Sequence, residues 1–338
     1  METQAETSQQ TTLKVIATTG GFKTFVAFLA AMFIFLIVFL IGIIAGVSGF
    51  VASTEDSGPV KTHISQNGNN TIVAVLHVGG VIDSSNASYA QQAIDKILKN
   101  KQVRAIVLRV DSPGGGVTAS DEIWHNIQRL KDAGLPLIAS YGSVAASGGY
   151  YISCNADYIL AQETTITGSI GVIASILTYQ NLLEKIGVKP VTLIAKGSPE
   201  KSVANDVYRN WTVKDKQKVN SILDAMYAVF YDRVAEGRSS VITDTKKLKA
   251  VANGSAYTAQ QALDNGLIDS IGYLDNAIDI AEQRASLQSG KSTVVHYSRA
   301  TPSFGGLLGV QSSELTITDL RSMLQEFTMP KLMYFYNQ

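Results

Sequence analysis

The sequence predicts an α/β body preceded by one transmembrane helix. Three observations carry this. Between Lys23 and Glu55 there is no charged side chain, and residues 25–52, FVAFLAAMFIFLIVFLIGIIAGVSGFVA, exceed the ~20 apolar residues that cross a bilayer core. From Thr71 onward, β-branched runs alternate with segments of helical period, the pattern of an α/β fold. Across 338 residues, 28 basic side chains balance 28 acidic ones, so no basic excess points to nucleic acid; the one cysteine, Cys154, cannot form an intrachain disulfide and is expected to be buried.

Residues 1–24 read as a polar cytoplasmic tail and 25–52 as the span. A cleaved signal peptide is the competing reading of the span, since GFVAS resembles a cleavage site, but signal cores run ~7–15 residues. Lys14 and Lys23 precede the span, while Glu55, Asp56 and Lys61 follow it. The positive-inside bias then places the N-terminus in the cytoplasm and the body on the extracytoplasmic side of a single-pass cell-membrane protein. Residues 53–70, STEDSGPVKTHISQNGNN, are polar and without periodicity, and read as a linker.

The body opens with TIVAVLHVGGVI, a strand, then a helix with Ala90, Ala93, Ile94, Ile97 and Leu98 on one face. VRAIVLRV is a second strand and ends in DSPGGG, residues 111–116. The next helix carries Ile123, Trp124, Ile127 and Leu130 as its apolar stripe, with Thr118 as a candidate cap and Gly134 as its stop. LPLIASYG, YILAQ, SIGVIASI and VKPVTLIA read as further strands. Residues 212–236, 258–265 and 273–285 read as helices.

Chemistry gathers in three places. GSVAASGGYYIS, residues 142–153, puts Ser147 after a strand and before a helix, where a turn can expose Oγ and aim backbone N–H groups at a reacting oxygen. Gly148 and Gly149 allow close backbone approach. A small-residue run of this kind also serves plain helix packing. DSPGGG can supply an oxyanion N–H, or be an ordinary strand-to-helix turn; Ser112 within it is a rival nucleophile, and the loop lacks the ending of a phosphate-binding loop. AKGSPEKS, residues 195–202, holds Lys196 and Lys201, which alone would read as solvated lysines. None of the four histidines, His63, His77, His125 and His296, stands where a serine hydrolase keeps its base, and no metal-ligand spacing occurs.

Taken together, DSPGGG, AASGGYYIS, TGSIGV (residues 167–172), GSPEKS and YTAQQALDNGLIDSIG (residues 257–272) resemble the signal peptide peptidase A family over residues 71–285. These are membrane-bound serine–lysine peptidases with a Clp/crotonase-like spiral of strand and helix units. The resemblance implies Ser147 as nucleophile, Lys201 as general base with Lys196 as its fallback, Ser169 as the residue orienting the lysine, and Gly114 and Gly148 as oxyanion donors. Ser255 stands where relatives often carry Arg. The resemblance also implies residues 71–286 as the catalytic domain, residues 287–338 as a C-terminal extension, no metal or other cofactor, a ring-shaped homo-oligomer, and peptide substrates such as cleaved signal peptides.

A lysine can act as base only when neutral. At pKa ~10.4 about four in ten thousand are neutral at pH 7, and making one so costs about 4.6 kcal/mol; burial lowers a lysine pKa by up to ~3–5 units. Two other readings stand beside the peptidase: an inactive membrane scaffold of the same fold, and an acyl-CoA enzyme of the crotonase group, which the span disfavours. The aromatic end FTMPKLMYFYNQ, residues 327–338, either packs on the body or a neighbour, or occupies a subsite and restrains activity.

Overall fold

The structure, a computed structural model, describes residues 60–66, 68–202, 206–299 and the strand backbone at 333–335. The expected tail and the span at 25–52 lie outside these residues; among the described residues no helix is long and apolar enough to cross a membrane.

A mixed α/β sheet forms the centre. Strands β1 (Val60–Gln66), β2 (Ile72–Ile82), β3 (Val103–Gly116), β4 (Leu137–Ala146), β5 (Tyr158–Ala161), β8 (Ser270–Ile271) and β9 (Thr293–Arg299) run in the order β1-β9-β2-β3-β4-β5-β8. The pairs β9–β2, β2–β3, β3–β4, β4–β5 and β5–β8 are parallel, and β1–β9 is antiparallel. Parallel strands covered on both faces read as continuous apolar runs, which is why β2 and β3 were legible as IVAVL and AIVL. One face, with Ala74, Leu76, Ile106, Leu108 and Ala139, packs under helices α1 (Ser84–Lys99) and α2 (Val117–Asp132). The other, with Val73, Val75, Ala105, Val107 and Ile138, is closed by α8 (Leu274–Arg284).

The helix limits follow local chemistry. Asp83 caps α1, its carboxylate accepting from Asn86 N at 2.8 Å. Gly134, at φ +75°, ends α2 as expected, with Gly134 N donating to Lys131 O and Leu135 N to Leu130 O. Thr118 does not cap α2: the N-cap is Gly116, which offers no side chain. Three short helices, α3 (Gly148–Tyr151), α4 (Gln180–Lys185) and α6 (Thr245–Val251), and the long α5 (Val213–Gly237) complete the body with α7 (Ala259–Asp264). Thr212 and Asp215 form a capping box at the start of α5.

Two readings change. Residues 60–66, expected in a linker, form β1, whose register runs from Val60 opposite Arg299 to Gln66 opposite Val294. An edge strand facing solvent needs no apolar run, so its polarity concealed it. Conversely, SIGVIASI and VKPVTLIA form no strands; Val191 and Leu193 are 81% and 91% exposed. A strand needs a continuous neighbouring backbone to pair with; SIGVIASI finds only isolated contacts, Ser169 N to Ser255 O and a single bridge at Ile173, and VKPVTLIA forms no ladder within the described residues.

At the β1–β9–β2 end, His77 Nε2 and His296 Nδ1 share a hydrogen bond of 2.8 Å, and His296 Nε2 meets Ser65 Oγ at 2.7 Å. Arg109 stands beside them, donating to Ser140 Oγ and Tyr141 O, and His63 lies across from His296. Burial first, then His296 and Arg109, lower His77 from 6.5 to about 4. The unfolded chain therefore binds a proton at His77 that the folded chain resists. The stabilisation is present above pH ~6.5 and is lost as pH falls toward ~4, a loss on the order of 2 kcal/mol once partial exposure is allowed for. Urea titrations at pH 7.5 and 5 should show it, and His77→Gln should reduce the difference; an unchanged difference would remove His77 as the cause.

Candidate active site

The site begins with a break in register. From Ile106 opposite Leu137 to Val110 opposite Tyr141, β3 and β4 pair evenly; the next pair is Ser112 opposite Ala145. Three β4 residues, 142–144, bulge out. Asp111 holds the bulge: its Oδ1 accepts from Ser143 Oγ at 2.6 Å and from Val144 N at 3.1 Å. Gly142 is needed there, because a Cβ would stand 2.8 Å from Asp111 Cγ.

Past the bulge, β4 pairs with β6 (Ile166–Gly168), which in turn pairs with β7 (Ala256–Thr258). The hydroxyls of Thr165 and Thr167 donate to Gly142 O and Ala145 O and fasten β6 in place. The end of β3 keeps β2 on one side, with Gly115 opposite Ile82. On its other side it pairs antiparallel with β10 (Met333–Phe335): Met333 opposite Gly116, Tyr334 opposite Gly115, Phe335 opposite Gly114.

Ser147 sits where β4 ends and α3 starts. It is 1% exposed and adopts φ 54°, ψ −116°, a left-handed backbone uncommon for a residue with a side chain. Such strain costs about 1–3 kcal/mol and collects at functional positions. The turn is pinned by Ser147 N donating to Gly168 O and Tyr151 N donating to Ser147 O, each at 2.8 Å. Ser147 Oγ itself is buried without a hydrogen-bond partner. Gly149 must be glycine, since a Cβ would lie 2.7 Å from Ser112 O.

Ser112, the rival nucleophile, is committed elsewhere: its Oγ donates to Gly80 O at 2.6 Å and accepts from Gly114 N at 3.1 Å. It braces the glycine loop. Gly114, at φ 107°, therefore has its N–H engaged by Ser112. Ser169 follows Gly168 directly, at φ 51° and 7% exposed, with its N–H donating to Ser255 O at 2.8 Å. The fold thus gathers Ser147, Gly148, Gly114 and Ser169 around one turn. Lys201 is not brought there within the single chain: it lies on the 3₁₀ turn Pro199–Ser202, exposed, and Ser147 Oγ has no bond from it. Lys196 is exposed as well.

Cys154 is buried two turns away, and burial pushes its thiol up to about 12, which leaves it an inert core residue. One contributor escaped sequence reasoning: Asp111 was visible only as the first letter of DSPGGG. No group of His, Cys, Asp or Glu among the described residues could hold a metal ion.

A parallel core that carries a strained, buried serine hydroxyl beside a glycine strand edge is an arrangement that α/β hydrolases use. The model of peptidase family S49 matches residues 129–288. The chain is 34% identical over 298 residues to a protein of Enterococcus faecium named for signal peptide peptidase SppA, an alignment covering 81% of this chain and 83% of that one. It is 33% identical over 247 residues to a Synechocystis protein named for protease activity, covering 73% and 86%. It is also 34% identical over 287 residues to the chloroplastic serine protease SPPA of Arabidopsis thaliana, covering 81% of this chain but 42% of the longer relative. The chain belongs to peptidase family S49, and it is a peptidase.

Proposed function

We propose that this peptidase is a membrane-anchored serine endopeptidase working through a Ser147–Lys201 dyad. The observation that carries the reading is the Ser147 hydroxyl, buried and unpartnered on a strained turn beside the Gly114–Gly116 edge. Neutral Lys201 takes the Oγ proton as Oγ attacks the peptide carbonyl. The N–H groups of Gly148 and Gly114 receive the tetrahedral oxyanion, Gly114 exchanging its bond to Ser112 for this one. Lys201 then protonates the leaving amine as the C–N bond breaks, and water releases the acyl group from Ser147. Ser169, next to the turn, orients the amine.

Lys201 must be buried to serve, and the segment that bears it asks for cover. Leu177, Leu182, Ile186, Val191 and Leu193 are exposed on the stretch between β6 and Lys201. Apolar surface of this kind marks an interaction site, and we assign it to a neighbouring copy in a ring-shaped homo-oligomer with a Clp/crotonase-like body, set above the bilayer by the span at 25–52, N-terminus cytoplasmic. Membrane-retained peptides such as cleaved signal peptides are the fitting substrates. Residues 1–24, 71–286 and 287–338 then serve as tail, catalytic domain and extension, and of the expected linker 53–70, residues 60–66 join the sheet as β1 beside β9.

A substrate would add as an extended strand along Gly114–Gly116, the edge used by β10. Residues 333–335 then compete with substrate, and truncation after residue 326 should raise the peptidase rate several-fold with assembly unchanged. An unchanged rate would dismiss the restraint. The function itself is tested by treating the full-length protein with a fluorophosphonate and locating the adduct by mass spectrometry. Modification of Ser147, lost in Lys201→Met, is the expected result; modification elsewhere would refute the dyad.

A further inference from the structure

We propose that Ser120 is a third oxyanion donor, supplying a side-chain hydroxyl to the same tetrahedral oxygen as the backbone of Gly148. The inference rests on Ser147 being the nucleophile.

Among the described residues, two buried hydroxyls without a hydrogen-bond partner border Gly148: Ser147 Oγ, on the preceding residue, and Ser120 Oγ. Ser120 is fully buried in the first turn of α2. A serine in a helix ordinarily returns its hydroxyl to the carbonyl four residues back or shows it to water. Ser120 does neither. A buried hydroxyl left unpaired is costly, and in a native fold it calls for an occupant.

Its position says which. A Cβ on Gly148 would stand 2.6 Å from Ser120 Oγ, 3.2 Å from Gly114 Cα and 3.2 Å from Gly115 N. The hydroxyl, the glycine edge and the first residue of α3 therefore meet at one point, immediately after the nucleophile. The missing side chain of Gly148 lets Ser120 Oγ approach the residue that follows the nucleophile, and any larger residue would collide with Ser120. The helix bearing Ser120 starts at Val117 with no side-chain cap, its N-cap being Gly116 at the end of the same edge. Its uncapped N-terminal turn favours negative charge there. Since Gly114 N–H is tied to Ser112 Oγ, a hydroxyl donor strengthens a site whose second backbone donor must first be released.

The test compares full-length wild type with Ser120→Ala in detergent. It measures kcat and KM on fluorescent casein, the affinity of acetyl-Leu-Ala-alaninal, a peptide aldehyde whose hemiacetal places an oxygen at the oxyanion position, and Tm. The expected result is a kcat about 10- to 100-fold lower with KM held within twofold, and aldehyde affinity weakened by a similar factor. The Tm should be equal or higher, because an unpaired buried hydroxyl has been removed. Ser120→Cys, with a weaker donor of similar size, should fall between the two. Unchanged kcat and aldehyde affinity, or a kcat loss accompanied by a lowered Tm and unaltered aldehyde affinity, would overturn the assignment. Ser147→Ala run alongside separates the failures: turnover persisting there removes the nucleophile and this proposal's premise, whereas turnover lost there but intact in Ser120→Ala removes Ser120 alone.

Discussion

Ser147→Ala should lower kcat for casein by about 10⁴-fold or more, and Lys201→Met should do nearly the same, because members of a catalytic unit fail together rather than additively. The double variant should be no worse than either single one. Stability should move the other way at Ser147. The side chain sits at φ 54° with an unpaired buried Oγ, so Ser147→Gly should relieve strain and raise stability by about 1 kcal/mol. Mixing Ser147→Ala with Lys201→Met subunits adds information about the source of the base. Activity regained on mixing means that one copy's lysine serves another's serine; none regained means that the Lys201 segment folds back on its own chain. Wild-type turnover in either single variant would end the dyad.

The largest effect on stability is expected at Asp269. Arg238, 2% exposed, donates from two guanidinium nitrogens to Asp269 at 2.9 and 2.7 Å and from Nε to Gly266 O at 2.9 Å. Asp269 Oδ2 also accepts from Ile159 N at 2.8 Å. The pair therefore joins the end of α5 to the start of β5 and the turn before β8. Removing one partner from a buried pair leaves an uncompensated charge, a loss of about 3–5 kcal/mol. Asp269→Ala should lower Tm by about 2–4 °C per kcal/mol in a body of this size. Arg238→Met with Asp269→Leu should lose much less than the sum of the singles. Additive losses in that cycle would mean the two groups stabilise the fold independently.

How much the sequence disclosed follows from where each signal resides. The buried strands and the apolar stripe of α2 were readable because both faces or one helical side must be apolar, and Ile123, Trp124, Ile127 and Leu130 all lie buried. The serine turn was readable from small residues flanking Ser147. The edge strand β1 was not, since its partner β9 is more than 200 residues away and residues 62–65 are exposed. Nor was the fate of VKPVTLIA, whose β-branched content registers strand preference but not the presence of a partner. Ser120 could not be singled out at all. Its relevance comes from a missing hydrogen bond, and a sequence does not record bonds that fail to form.

The bulge latched by Asp111 has one more consequence. It comes just before the last pairing of β4 with β3, Ser112 opposite Ala145, and beyond that pair the last three residues of β3 are all glycine. A substrate strand of the kind proposed above would meet no side chains of this glycine rail itself, so it would be held by its backbone, and discrimination between targets would fall to the residues on either side.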